Sequence, residues 1–307
     1  MIVRRNPGFL RLFLVVRGSI LPKILPKVLI ITLLALLVAE LHKYFPDLFP
    51  DYTTAPFTLL GISLSLFLGF RNNASYDRWW EGRRQWGQML IDSRNLSRQL
   101  ATLLDFEVPE GRQRLRRIAH LNAAFVHAAR NRMRGIDPWH LLDSHLTVAD
   151  RATLTGRGNL PAGILHLIGQ ELGGCFRRGE ISDIALRDLN TSVNSLSLAY
   201  GSCERILNTP LPFAYMLLLH RTAYLYCLLL PWGLVAALGL ATPVISAIIA
   251  YTFFGFDALS EELASPFGTE ANDLPLNAMA RNIEIELLEA VGEPLPPRLT
   301  PKDHVLL

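Results

Sequence analysis

The sequence has little of what holds a small secreted fold or an enzyme site together. Its 307 residues include three cysteines, Cys175, Cys203 and Cys227, far apart and without a CxxC pair. That excludes a disulfide framework and a cysteine-rich metal knuckle, and the three thiols read as reduced and structural. No GxGxxG, phosphate-binding P-loop or HExxH occurs, so no familiar enzyme motif is present. Lysine is absent between Arg71 and Arg205, a stretch rich in arginine, which is the mark a GC-rich coding sequence leaves. A net charge of only +3 gives no bulk electrostatic support to nucleic-acid binding. Charge of either sign is missing from two long stretches, the nineteen residues Tyr52 to Phe70 and the thirty-five residues Thr222 to Phe256.

What is present is apolar. Half of the residues are hydrophobic and the mean hydropathy is +0.25. That is high for a soluble protein and low for a pure membrane bundle, so a membrane part joined to a sizeable water-exposed part is expected. Residues 1–27 hold Arg4, Arg5, Arg11, Arg17, Lys23 and Lys27 among apolar neighbours (FLRLFLVV). They have no small-residue cleavage site of the kind that ends a signal peptide, and read as an amphipathic segment on a membrane surface. A first span is expected around Val28–Ala39, lengthened by Ile24, Leu25 and Leu41, with Lys23 and Lys27 snorkelling. The uncharged run 52–70 has the length of one bilayer crossing. Polarity then reverses at Arg71-Asn72-Asn73, and no proline follows until Pro109. One helix is therefore expected to leave the membrane and continue into water.

Basic residues lie before the first span and after the second, with few between. The positive-inside rule places the N-terminus and everything after Phe70 in the cytoplasm. Residues 72–205 carry apolar positions at helical spacing, broken near Pro109-Glu110-Gly111, Gly135–Pro138 and Thr155–Pro161, and read as a helical cytoplasmic domain. A hairpin of two more spans follows, from near Phe213 to about Leu238 and from about Val244 to about Leu263, split at Gly239–Pro243. After the break at Pro266-Phe267-Gly268 comes an amphipathic helix, Asn277–Ala290, then a proline-rich tail expected to lie extended on a partner subunit or to be disordered. The predicted fold is all-α and membrane-bound, with four transmembrane helices and both termini cytoplasmic. Its parts are 1–71 (surface segment and spans one and two), 72–205 (cytoplasmic domain), 206–263 (spans three and four) and 264–307 (C-terminal helix and tail).

Candidate functional residues are few. On the second span Gly61, Ser65 and Gly69 form a small-residue stripe, beside the bulky stripe Ile62, Leu66 and Phe70. Small stripes let membrane helices approach closely. A bulky stripe beside one points to where neighbours converge, although a face turned to lipid or core has the same spacing. His120 and His127 share a helix face, but no third ligand lies near in sequence, so they read as a histidine pair rather than a zinc site. Glu270 and Asp273 follow the Pro-Phe-Gly turn closely enough for oxygen-rich cation binding, though two carboxylates are few for calcium. Four spans suit a ring of subunits around one axis, with a pore helix from each.

The sequence resembles the bestrophins, specifically their bacterial members. The matching residues are FLGFRNN (Phe67–Asn73) with Arg78-Trp79-Trp80 after it, PFAYMLLLHRTAYL (Pro212–Leu225) and PFGTEANDLPL (Pro266–Leu276), in the same order along nearly the whole chain. The resemblance implies a homopentameric ion channel in the cell membrane, with four spans per subunit and a cytoplasmic vestibule. It implies an apolar neck, here Ile62, Leu66 and Phe70, and a second constriction at the cytoplasmic exit, here Ile184, with Ile181 as the fallback. Animal members conduct chloride and are opened by calcium held in an acidic run after the Pro-Phe-Gly turn. Of that run this chain keeps only Glu270 and Asp273, so calcium is expected to bind weakly or not at all, and no other cofactor is implied. Bacterial members are associated with monovalent cations, which leans the expectation to sodium or potassium. The alternatives are a chloride channel of the same build and, in a different class, a membrane-anchored helical adaptor.

Overall fold

The computed structural model describes residues 1–4, 8, 15–16, 18–48, 53–105 and 108–307. The amphipathic surface segment expected within 1–27 lies largely outside the described residues. Elsewhere the chain is helical. Among the described residues there is no strand, only isolated bridges such as Ile2 with Val305.

Among the described residues nine α-helices follow one another: α1 Leu21–Tyr44, α2 Ala55–Leu103, α3 Pro109–Arg134, α4 Val148–Leu154, α5 Leu160–Arg177, α6 Asp183–Asn208, α7 Phe213–Leu238, α8 Thr242–Ala264 and α9 Leu276–Ala290. Their ends follow local chemistry. Pro109 opens α3, where its missing N–H is no loss, and Gly135 closes it at φ 62°, a left-handed conformation that suits glycine. Asn159 and Ser182 cap α5 and α6 by accepting from the N–H groups of Ala162 and Ala185. Pro56 stands in the first turn, where its missing N–H is no loss, and with no proline from Phe57 to Leu103 α2 runs unbroken for 49 residues, about 74 Å, through the polarity change at Phe70–Arg71. The hairpin helices α7 and α8 meet through one 3₁₀ turn, Gly239–Ala241.

The chain divides into two compact units. One comprises residues 4–79 and 210–266, hence α1, the first half of α2, α7 and α8. Its core joins Ile24 and Ile31 of α1, Leu64 and Leu68 of α2, Leu219, Tyr226 and Leu230 of α7, and Phe253 and Phe254 of α8. Two glycines let α2 and α7 close together. A Cβ on Gly61 would lie 2.7 Å from the Tyr226 hydroxyl, and one on Gly233 would lie 2.3 Å from the Phe57 ring. Among the described residues two stretches are long and apolar enough to cross a membrane, Leu21–Tyr44 and Phe213–Ala264, the latter holding both α7 and α8.

The other unit comprises residues 1–3, 80–209 and 267–307. At its centre α3 is buried from Leu121 to Asn131, where Ala123, Ala124, Ala128 and Ala129 keep its surface low enough for α5, α6 and α9 to pack around it. Phe267–Leu307 is thus part of the same body as 80–209, whereas the sequence suggested a separate C-terminal segment. The proline-rich tail also departs from expectation. Its end folds onto its own chain: Val3 donates to the His304 carbonyl and Leu306 to the Met1 carbonyl, each at 2.9 Å, and Ala278 donates to Leu307 at 2.9 Å. Proline bars the tail from forming a helix, and pairing with the N-terminus satisfies the backbone groups of its last residues.

Candidate ion pathway

The first half of α2 has two opposite faces. Leu64, Leu68, Arg71 and Ser75 are buried, at the spacing of one helical stripe. Ile62, Leu66 and Phe70 are 63 %, 55 % and 55 % exposed on the single chain. At 100° per residue the two stripes are centred roughly 170° apart. The chain's own core therefore takes one face of α2 and leaves the bulky stripe to whatever surrounds the subunit. Of the small residues, Gly61 meets Tyr226, whereas Ser65 is exposed and nothing lies within 4 Å of a Cβ on Gly69. The small stripe is therefore used inside the subunit only at its first member.

Ile184 stands in the first turn of α6, just after the Ser182 cap, and is 61 % exposed. Its fallback Ile181 is 7 % exposed, so its side chain belongs to the packing of its own unit. Glu270 and Asp273 lie in one turn. The Glu270 N–H donates to Asp273 Oδ2 at 2.7 Å and the Asp273 N–H to the Glu270 carbonyl at 3.1 Å. Asp273 is buried while the Glu270 side chain is exposed, so the Asp273 carboxylate braces the turn that carries it. The three cysteines are free and buried.

The sequence reading missed a polar clasp at the end of the apolar helices. Arg71 of α2 and Asp257 of α8 form a buried ion pair, and His220 Nδ1 of α7 lies 2.8 Å from Asp257 Oδ2. Nearby, Ser260 donates to Asn72 Oδ1 at 2.6 Å, Arg78 Nε donates to the Ala264 carbonyl at 2.9 Å, and Lys23 pairs with Glu262 at 2.7 Å. A signal for the central pair was available. Arg71 and Asp257 are the first charges after the two uncharged runs, opposite in sign, and both runs end on the same predicted side of the membrane.

The chain is similar to known proteins over nearly all its length. Residues 1–289 match the family described as Bacterial/Fungal Bestrophin protein. It is 42% identical over 304 residues to the voltage-dependent anion channel-forming protein mll4386 of Mesorhizobium japonicum, covering 99% of this chain and 96% of that one. It is 41% identical over 308 residues to the voltage-dependent anion channel-forming protein YneE of Escherichia coli K12, covering 100% of both. Among solved structures, a bacterial bestrophin homolog from Klebsiella pneumoniae superimposes with a TM-score of 0.83 at 40% identity, covering 88% of this chain and 99% of that one.

Proposed function

This chain belongs to the bacterial and fungal bestrophin family, whose members are ion channels and not enzymes, and on that premise we propose how it carries ions. Several copies, five by family resemblance, ring one axis in the cell membrane. Each contributes the first half of α2 as a pore helix, and Ile62, Leu66 and Phe70 form the neck. The observation that carries this reading is the bulky stripe itself, exposed on the single chain opposite the face of α2 that its own core has taken. Such a row is left to be covered by lipid or by neighbouring copies. In a ring it becomes the wall of a narrow apolar path that gates by losing its water.

The apolar half of α2 makes a fourth crossing beside α1, α7 and α8. Residues 72–205 and both termini then lie in the cytoplasm, where Ile184 rings the exit of the vestibule. The sign of the permeant ion is a separate matter. The names of the relatives favour anions, and the lean to sodium or potassium finds no support in them. The neck carries no charge and enforces neither sign.

Purified protein in sealed liposomes tests the proposal. Ion flux is expected, and a membrane-anchored adaptor would give none. The reversal potential across a potassium chloride gradient then fixes the sign, with a value near the chloride equilibrium potential expected for an anion channel. The mass of the detergent-solubilised particle gives the number of copies.

A further inference from the structure

In the unit formed by residues 1–3, 80–209 and 267–307, three side chains from three parts of the sequence converge. His127 lies in the middle of α3, His145 in the loop before α4, and Glu284 on α9, and all three are buried. His127 Nε2 is 2.9 Å from Glu284 Oε2, and His145 Nε2 is 3.1 Å from Glu284 Oε1. One ligating atom from each residue lies within 4.8 Å of the other two. The two imidazoles stack, with centroids 5.8 Å apart and planes 12° from parallel. Among the described residues no other group of three His, Cys, Asp or Glu side chains converges in this way. The sequence reading had paired His127 with His120. It could not see the other partners because they arrive 18 and 157 positions further along the chain.

The site is supported from behind. Asn131, buried on α3, donates from Nδ2 to the carbonyls of Pro138 and His140 at 3.1 and 2.8 Å, which pins the loop that carries His145. His145 Nδ1 lies 3.1 Å from His120 Nδ1, and His120 Nε2 lies 3.0 Å from Glu293 Oε1. Glu293 is also paired with Arg116, so it is an ionised carboxylate and can only accept. His120 Nε2 therefore carries a proton toward Glu293. When His145 Nδ1 donates to His120 Nδ1, His145 Nε2 presents its lone pair to Glu284, which is paired with Arg281, and a cation held between the two satisfies both.

We propose that this cation is a divalent transition metal of the zinc class, held by His127 Nε2, His145 Nε2 and the Glu284 carboxylate, with water completing the coordination. Two imidazoles and one carboxylate form a donor set that zinc favours and that calcium and magnesium do not. The run from His145 through His120 to Glu293 is the outer-shell arrangement that fixes the tautomer of a metal-bound histidine. Arg281 Nη1, 3.2 Å from Glu284 Oε2, leaves Oε1 as the freer oxygen for the metal and weakens the site by its charge. Bound there, the ion would staple α9 and the His145 loop to α3. It would favour the folded state in proportion to its concentration.

The test uses full-length protein in detergent, stripped with chelator and titrated with zinc chloride or calcium chloride. One zinc per chain is expected by calorimetry and by metal analysis after dialysis, with no comparable calcium uptake. His145→Gln should lose the site. His120→Gln, which leaves all three ligands in place, should weaken it by about tenfold or more. Zinc should raise the unfolding temperature of the parent and not that of His145→Gln. Zinc well below one per chain in the parent, equal binding of calcium, or unchanged affinity in His120→Gln would overturn the proposal. The parent and His120→Gln decide it even if His145→Gln does not fold.

Discussion

Arg71 and Asp257, 186 positions apart in the chain, meet as an ion pair whose two side chains are each 5 % exposed. Asp257 also faces His220. The pair joins the helix that turns its bulky stripe outward to the hairpin behind it, so it holds α2 in register with α8. Removing one partner leaves a buried charge uncompensated, which costs about 3–5 kcal/mol. Asp257→Ala should therefore unfold at a clearly lower temperature in detergent. The double change Arg71→Met with Asp257→Leu should be closer to the parent than either single change. If Asp257→Ala melts with the parent, the pair does not hold these helices.

The residues proposed for the neck rise about 6 Å per step, so Ile62, Leu66 and Phe70 would stack as three rings over roughly 12 Å of axis. Apolar rings of this kind close by expelling water. Replacing all three with alanine should hold the channel open and leave the preferred ion sign unchanged, because no charge has changed. Phe70→Ala alone should act in part. Single-channel recording decides this, and an open probability equal to that of the parent would return the stripe to lipid or core.

Exposure separates the two isoleucines proposed for the exit constriction. Ile184→Ala should raise unitary conductance with little effect on gating, since it shortens an exposed side chain at a helix start. Ile181→Ala should instead lower stability by about 2–5 kcal/mol, because it empties a buried site. A conductance gain from Ile181→Ala alone would move the constriction there.

Calcium chelation should change ion flux little. The Asp273 carboxylate already accepts the Glu270 N–H, and only these two acidic groups remain in the turn. Calcium affinity follows the number of charged oxygen ligands. Flux measured with and without chelator checks this, and a strong calcium dependence abolished by Asp273→Ala would contradict it.

Asp150 closes a capping box with Thr147 at the start of α4 and is held by Arg117, whose Nη1 donates to Oδ2 at 2.7 Å. Burial alone would raise its carboxyl, but the hydrogen bonds from Arg117 and Thr147 hold it below the usual carboxylate range. A carboxyl depressed in the folded state adds stability above its unfolded pKa, and that stability fades as the pH falls through the folded value. Asp150→Asn should lower stability by about 1–2 kcal/mol at neutral pH. The gap from the parent should narrow below about pH 4, near the ordinary aspartate value. Unfolding in detergent at pH 7 and pH 3 checks this, and an equal gap at both would rule out the ionic contribution.

Much of the architecture is local, and therefore legible in one dimension. The proline-free run from Arg71 to Leu103 makes α2 continuous, Gly135 ends α3, and the break at Gly239–Pro243 sets the hairpin of α7 and α8. The bulky stripe Ile62, Leu66 and Phe70 is likewise visible in the sequence, because helical spacing alone puts three residues on one face. Family membership was also legible, in three long blocks that follow the family's order along the chain.

Tertiary structure decided what periodicity leaves open. It showed that Leu64 and Leu68 face the core of their own chain while Ile62, Leu66 and Phe70 do not, since a helix with apolar residues on both sides does not say which side its neighbours occupy. It separated exposed Ile184 from buried Ile181, three residues away. It folded 267–307 into one body with 80–209, and it brought Arg71 to Asp257 and His127 to His145 and Glu284. Helical spacing fixes partners three or four residues apart. Partners that meet across a core are fixed by how whole helices pack, and the sequence carries no local mark of that.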